Sequence, residues 1–90
     1  MNKAIEEFLM YMSEVNPDST YPIDFEDAIV GCAERCGLLP VILLDRKKCI
    51  EILMKDMDEE EAEEFFEFNV IGSWVGEGTP MFMTKVVDVI

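Results

Sequence analysis

Ninety residues, half of them apolar, with 20 Asp and Glu against 7 Lys and Arg and a net charge of −13, read as one globular domain over residues 1–90 rather than two domains or a disordered chain. That charge argues against direct binding to nucleic acid or to an anionic membrane surface, since both require a cationic stripe. It fits either plain solubility or attraction to a basic protein surface, including a partner's own nucleic-acid groove.

A domain this small buries a modest share of its surface, which leaves room for self-association into a homo-oligomer. Three cysteines, an odd number with no leader sequence, point to reduced thiols in a cytoplasm rather than a disulfide framework. Residues 1–7 carry acids where a secretory signal needs a basic start, and every apolar run is broken well before the roughly 18 residues of a membrane span.

Ile5, Phe8, Leu9 and Met12 follow the spacing of one helical face and predict an amphipathic helix over residues 3–15, with Glu6, Glu7 and Glu14 outward. Asn16 and Pro17 end it, and a polar loop runs to Tyr21 and Pro22. Asp24 is expected to cap a second helix, with Phe25, Ala28, Ile29, Cys32, Ala33 and Cys36 on one face and Gly37 as its left-handed C-cap. Residues 41–44 form a short apolar run that predicts a buried strand, with Pro40 as its first residue.

Asp45 caps a third helix over residues 46–54, with Cys49, Ile50, Leu53 and Met54 or Met57 inward. Arg46, Lys47 and Lys48 crowd its first turn against the helix dipole, and they form the sole basic cluster in the chain. Either they pair with surrounding acids or they bind an anionic ligand. Asp58 and Glu61 make a capping box for a fourth helix. Ala62, Phe65, Phe66 and Asn69 would share its inner face, and Glu59, Glu60, Glu63, Glu64 and Glu67 populate the others. Phe68 lies off the inner face, available for a second contact or an oligomer surface.

Gly72, Gly76 and Gly78, followed by Thr79 and Pro80, direct the chain through a shaped turn around Trp74, read as a core anchor or a hot spot in a partner interface. Residues 81–90 are β-branched enough, at Thr84, Val86, Val87, Val89 and Ile90, for a closing strand. The fold class is therefore α+β: about four helices packed with a small two-stranded sheet in a single compact domain, in the order α-α-β-α-α-β.

The residues that carry chemistry elsewhere do not assemble here. Cys32, Cys36 and Cys49 could be imagined as a three-thiolate metal site, but with no histidine and no fourth ligand they read as small core hydrophobes. Without histidine a cysteine or Ser73 lacks its usual base, and the acids of residues 56–67 read as a solvated face rather than catalytic carboxyls in an apolar cleft. The acids after Asp56 place Glu61 where a calcium loop needs glycine, and the glycine segment lacks the Gly-Lys-Ser/Thr ending of a phosphate loop. No enzyme, no cofactor and no metal are expected.

The stretch from Asp45 through Met54, and then Glu60 through Pro80 with its Phe-Asn-Val-Ile-Gly and Trp-Val-Gly-Glu-x-Thr-Pro pattern, resembles a widespread family of small uncharacterised phage and prophage proteins. With residues 28–36 the resemblance spans about two thirds of the chain. It implies a phage context in the cytoplasm of a host cell, and it hands over no activity or binding residues. Acidic phage accessory proteins that inhibit host defence, anti-CRISPR proteins among them, supply the leading expectation: an inhibitor binding a basic surface of a host defence or nucleic-acid-handling protein. Glu59, Glu60, Glu63, Glu64 and Glu67 would form the electrostatic face, and Phe68 or Trp74 the apolar anchor. A second expectation is an oligomeric sponge for nucleotide signals using Arg46, Lys47 and Lys48 with the glycine turn, and a third is a virion or replication accessory protein.

Overall fold

The architecture rests on one strand. In the computed structural model, which describes residues 2–86, Leu38–Asp45 (β2) runs through the centre of a three-stranded mixed sheet. Ile29–Arg35 (β1) pairs with it antiparallel, and Met81–Met83 (β3) pairs with its far end in parallel. Val41, Ile42 and Leu44 are at most 2% exposed, because helices and neighbouring strands cover the part of β2 that carries them. The whole is a single α+β domain with helical segments packed on the sheet.

The first helix, Lys3–Val15 (α1), forms as its apolar spacing dictates, with Asn2 Oδ1 accepting from the Ile5 N–H as N-cap. Met12 is its buried contact with the core, and α1 lies against β2. Asn16 ends it and is itself buried. Its amide Nδ2 donates to the Pro40 carbonyl at 2.9 Å, tying the helix exit to the sheet.

The expected second helix does not form. Residues Ile23–Ala28 make a 3-10 helix, Pro22 rather than Asp24 stands at its N-cap without a side-chain bond, and the chain then extends into β1. Gly37 takes φ +81° in the turn that joins β1 to β2, so it closes a hairpin instead of capping a helix. The physical reason is partnership. Val41 to Leu44 pair with Ile29, Gly31, Cys32 and Ala33 across a bulge at Val30, and the β-branched Ile29 and Val30 with Gly31 are poor helix formers. Pro40 is the third residue of β2 rather than its first, and it sits where the register between Ala33↔Val41 and Arg35↔Leu38 slips by one residue. A bulge is where a residue without an N–H costs a strand least.

Asp45 ends β2 and caps the next helix, Arg46–Leu53 (α2), accepting from the Lys47 N–H at 3.1 Å. Asp58 caps Glu59–Phe65 (α3) through the Glu61 N–H at 2.9 Å. The helix then continues as a π-helix over Phe66–Ile71. Ala62, Phe66 and Val70 form its buried stripe, while Phe65 and Asn69, expected inside, face solvent. Hydrogen bonds from i to i+5 turn the chain less per residue, which keeps residues four apart stacked on one side.

β3 realises the first part of the expected closing strand. Met81, Phe82 and Met83 pair with Leu43, Leu44 and Asp45 as anticipated for this region. Residues 84–86 leave the strand, so Thr84 and Val86 do not extend it, and the rest of that expectation, Val87, Val89 and Ile90, lies outside the described residues. The third strand of the sheet comes from residues 29–35, which the helical reading had removed from it.

The glycine turn is a tertiary contact. The Gly78 carbonyl accepts from the Thr20 N–H at 3.0 Å, and an added Cβ on Gly78 would meet the Asp18 carbonyl, with its carbon 2.6 Å away and backbone rather than a flexible side chain. Thr79 Oγ1 donates to the Gly76 carbonyl and accepts from the Val75 N–H, locking the loop ahead of β3. Gly78→Ala is expected to destabilise the fold by about 1–3 kcal/mol, measured by urea denaturation. An unchanged midpoint would show that the two loops do not meet this closely.

Candidate functional site

Among the described residues three depressions stand out, and each gathers a different chemistry. The largest, about 660 Å³, lies between the start of α2 and α3 and is lined by Arg46, Lys47 and Lys85 opposite Glu51, Glu59 and Glu63, over Ile50 and Met54. Both signs of charge line it. The second, about 430 Å³, is formed by Leu38 and Leu39 of the hairpin, the Asn16–Asp18 loop and Val75 to Gly78. The third, about 350 Å³, is a shallow groove on the outer face of α3 and the π-helix, lined by Met57, Glu61, Glu64, Phe65, Phe68 and Asn69.

The third groove owes its shape to the helix that carries it. Because Ala62, Phe66 and Val70 are committed to the core, Phe65 and Phe68 must point elsewhere, and Phe68 is 77% exposed. Glu61, Glu64, Phe65 and Phe68 follow i, i+3, i+4, i+7 spacing and so share one face. The electrostatics there are one-sided. Asp58, through its charge and a side-chain hydrogen bond, raises the Glu61 carboxyl above its ordinary range, with slight desolvation and the charge of Glu64 adding to it.

The structure divides the residues nominated from sequence. Glu64 and Phe68 meet in the aromatic groove. Glu59 and Glu63 face the basic side of α2 instead. Glu67 is engaged with Arg46, whose Nη2 lies 2.6 Å from its Oε1, and Glu60 is exposed on the solvent side of α3. Trp74 is 71% exposed, so it is not the core anchor that one reading of the turn gave it, and it lines neither the aromatic groove nor the cleft beside Val75. Glycines on both sides of it leave no element to cover the ring.

The basic cluster is likewise dispersed. Arg46 lies with its guanidinium carbon 4.7 Å from the Phe66 ring centroid while pairing with Glu67, so it braces α2 against the π-helix. Lys47 lines the largest depression and Lys48 is exposed outside it. Gly76 and Gly78 line a different cleft from Arg46 and Lys47, so these residues do not converge on one anion. Asp45 is buried, and its carboxylate is the negative charge at this cationic helix start: one oxygen accepts from the Lys47 N–H and the other from Lys85 Nζ at 3.2 Å.

Residues that sequence reasoning missed are Met57, Glu61, Phe65 and Asn69. Glu61 had a structural role in the capping box, and Phe65 fits an ordinary α-helical inner face; the switch to π geometry has no signature in composition or period.

The cysteines separate in environment. Cys49 is fully buried, Cys32 half-buried and Cys36 exposed in the hairpin turn, so the three do not share the core faces expected of them. Burial, and then the charge of Asp45, pushes the Cys49 thiol from 9.0 up to about 12. Among the described residues no cluster of His, Cys, Asp and Glu is placed to hold a metal ion, and no helix is long and apolar enough to cross a membrane. No protein-family model, curated protein or solved structure matches the chain at a significant level.

Three measurements follow from this geometry. The Arg46–Glu67 pair is partly exposed on both sides, so a double-mutant cycle with Arg46→Ala and Glu67→Ala should return a coupling of about 0.5–1 kcal/mol that shrinks in salt; zero coupling at low salt would remove the brace. For the thiols, Cys36 should react first with a disulfide reagent and Cys49 only on unfolding. Because the folded Cys49 pKa is raised, the stability tied to its protonated thiol is complete below about pH 9.0 and is lost as pH rises toward about 12. Cys49→Ala should flatten that alkaline loss in denaturation curves taken across the range.

Proposed function

We propose that this protein acts by binding, docking the outer face of α3 and the π-helix onto a basic surface of another protein. The observation that carries the reading is Phe68, 77% exposed on a groove whose rim is Glu61 and Glu64. A phenylalanine left in water forgoes on the order of 1.5–3 kcal/mol of burial free energy, which a partner covering the ring would recover. The surrounding acids contribute differently. In a chain of net charge −13 they accelerate encounter with a cationic surface and disfavour anionic ones, while the aromatic contact holds the complex.

π-Helical turns cost hydrogen-bond geometry and recur at functional sites, which agrees with one presenting an aromatic ring outward. Glu59, Glu60 and Glu63 extend the negative field beyond the groove, and Trp74 supplies a second anchor for a partner large enough to reach it. The resemblance read from residues 28–36, 45–54 and 60–80 to phage proteins favours a phage accessory role in a host cell, as an inhibitor of a host defence or nucleic-acid-handling protein, anti-CRISPR-like in mode. Obstruction of a basic groove needs no catalytic group.

Affinity capture from host lysate with the tagged protein, compared with Phe68→Ser and with the Glu61→Lys, Glu64→Lys double variant, tests this. A basic protein should co-purify, its recovery should fall as salt rises, and each variant should lower recovery on the order of tenfold. Recovery that is indifferent to salt and to both variants would rule the face out.

A further inference from the structure

The chain contains its own example of how a cation settles on this helix. Arg46 reaches across from α2 and places its guanidinium 4.7 Å from the centre of the Phe66 ring, with Nη2 2.6 Å from a Glu67 oxygen. An aromatic face takes the flat cation and an adjacent carboxylate takes its N–H donors. The outer side of the same helix repeats the ingredients without the cation: Phe68 exposed, Phe65 beside it, and Glu64 one helical turn before Phe68 in the same groove.

We propose that the groove of Met57, Glu61, Glu64, Phe65, Phe68 and Asn69 is an arginine-recognition site, in which a partner's guanidinium lies over the Phe68 ring with its N–H donors on the Glu64 and Glu61 carboxylates. The inference rests on the binding role proposed above and specifies the chemistry of the partner. Charge complementarity selects the occupant. Asp58, Glu61 and Glu64 crowd negative charge into one turn, and a cation relieves that crowding. Arginine fits better than lysine because its planar group can stack on the ring and at the same time donate outward in its own plane, whereas an ammonium is a strongly hydrated point charge.

A second copy of this chain is disfavoured as the occupant. It would bring another −13 of charge to an acidic face, and it offers only two arginines, of which Arg46 is already engaged. Arg35 near the hairpin turn is the other.

The test titrates the labelled full-length protein, followed by amide NMR shifts, with two short peptides of equal length and charge, one arginine-rich and one lysine-rich. Shifts should cluster at the groove, the arginine peptide should bind roughly threefold to tenfold tighter, and Phe68→Leu should erase that preference while keeping an apolar side chain. Glu64→Gln, a second surface variant, should weaken the arginine peptide more than the lysine peptide. Equal affinity of both peptides at the groove would overturn arginine recognition and leave basic docking standing. Absence of binding there by either peptide would overturn both, and groove shifts that grow with protein concentration alone would assign the face to a second copy instead.

Discussion

Phe66 is the side chain on which the C-terminal half of this protein depends. Its ring is fully buried, meets Phe82 of β3 edge-to-face at 5.2 Å, and lies beneath the Arg46 guanidinium. One residue therefore joins the π-helix, the last strand and the start of α2. Since the ring must face inward, Ala62 and Val70 follow it, and the wide π turn fixes which neighbours are left outside. The exposed aromatic groove is the other side of that commitment: Phe65 and Phe68 are outside because Phe66 is inside.

The charge follows a related logic. At −13 the chain repels itself, and the acids that touch structure do so at specific points. Asp45 and Asp58 cap helices, and Glu67 holds Arg46. Glu59 and Glu63 look across at the cationic side of α2. Glu61 and Glu64 face a groove with no cation among its lining residues, which makes that groove the place where added positive charge would gain most. Of the basic cluster that sequence offered as an anion site, Arg46 braces α2 against the π-helix, while Lys47 and Lys48 stay exposed.

Much of the fold was legible residue by residue where the determinants are local. Asp45 and Asp58 each accept from a backbone N–H of the first turn they precede, and Phe8, Leu9 and Met12 of the expected stripe pack on the core. Residues 24–36 were not legible, because their apolar positions follow a helical period while the strand they enter at Ile29 depends on the ladder that β2 offers. Gly37 was informative about a left-handed turn, yet the same glycine serves a helix end or a hairpin. In the candidate site, Glu64 and Phe68 were visible as surface residues; that they share a groove with Phe65 and Glu61 was not.

Sequence by itself determined the class of molecule: one small acidic α+β domain, the starts of the helices at Lys3, Arg46 and Glu59, its central apolar strand and a glycine-shaped turn before β3. Those follow from side-chain chemistry acting over a few residues. Tertiary structure alone decided that residues 29–35 are a strand, since a ladder needs a partner, and that Trp74 stands in solvent, since burial needs a covering element. It also decided which acids meet which aromatics. That depends on how far each helical turn rotates once Phe66 is locked against Phe82, a quantity set by packing rather than by the period written in the chain.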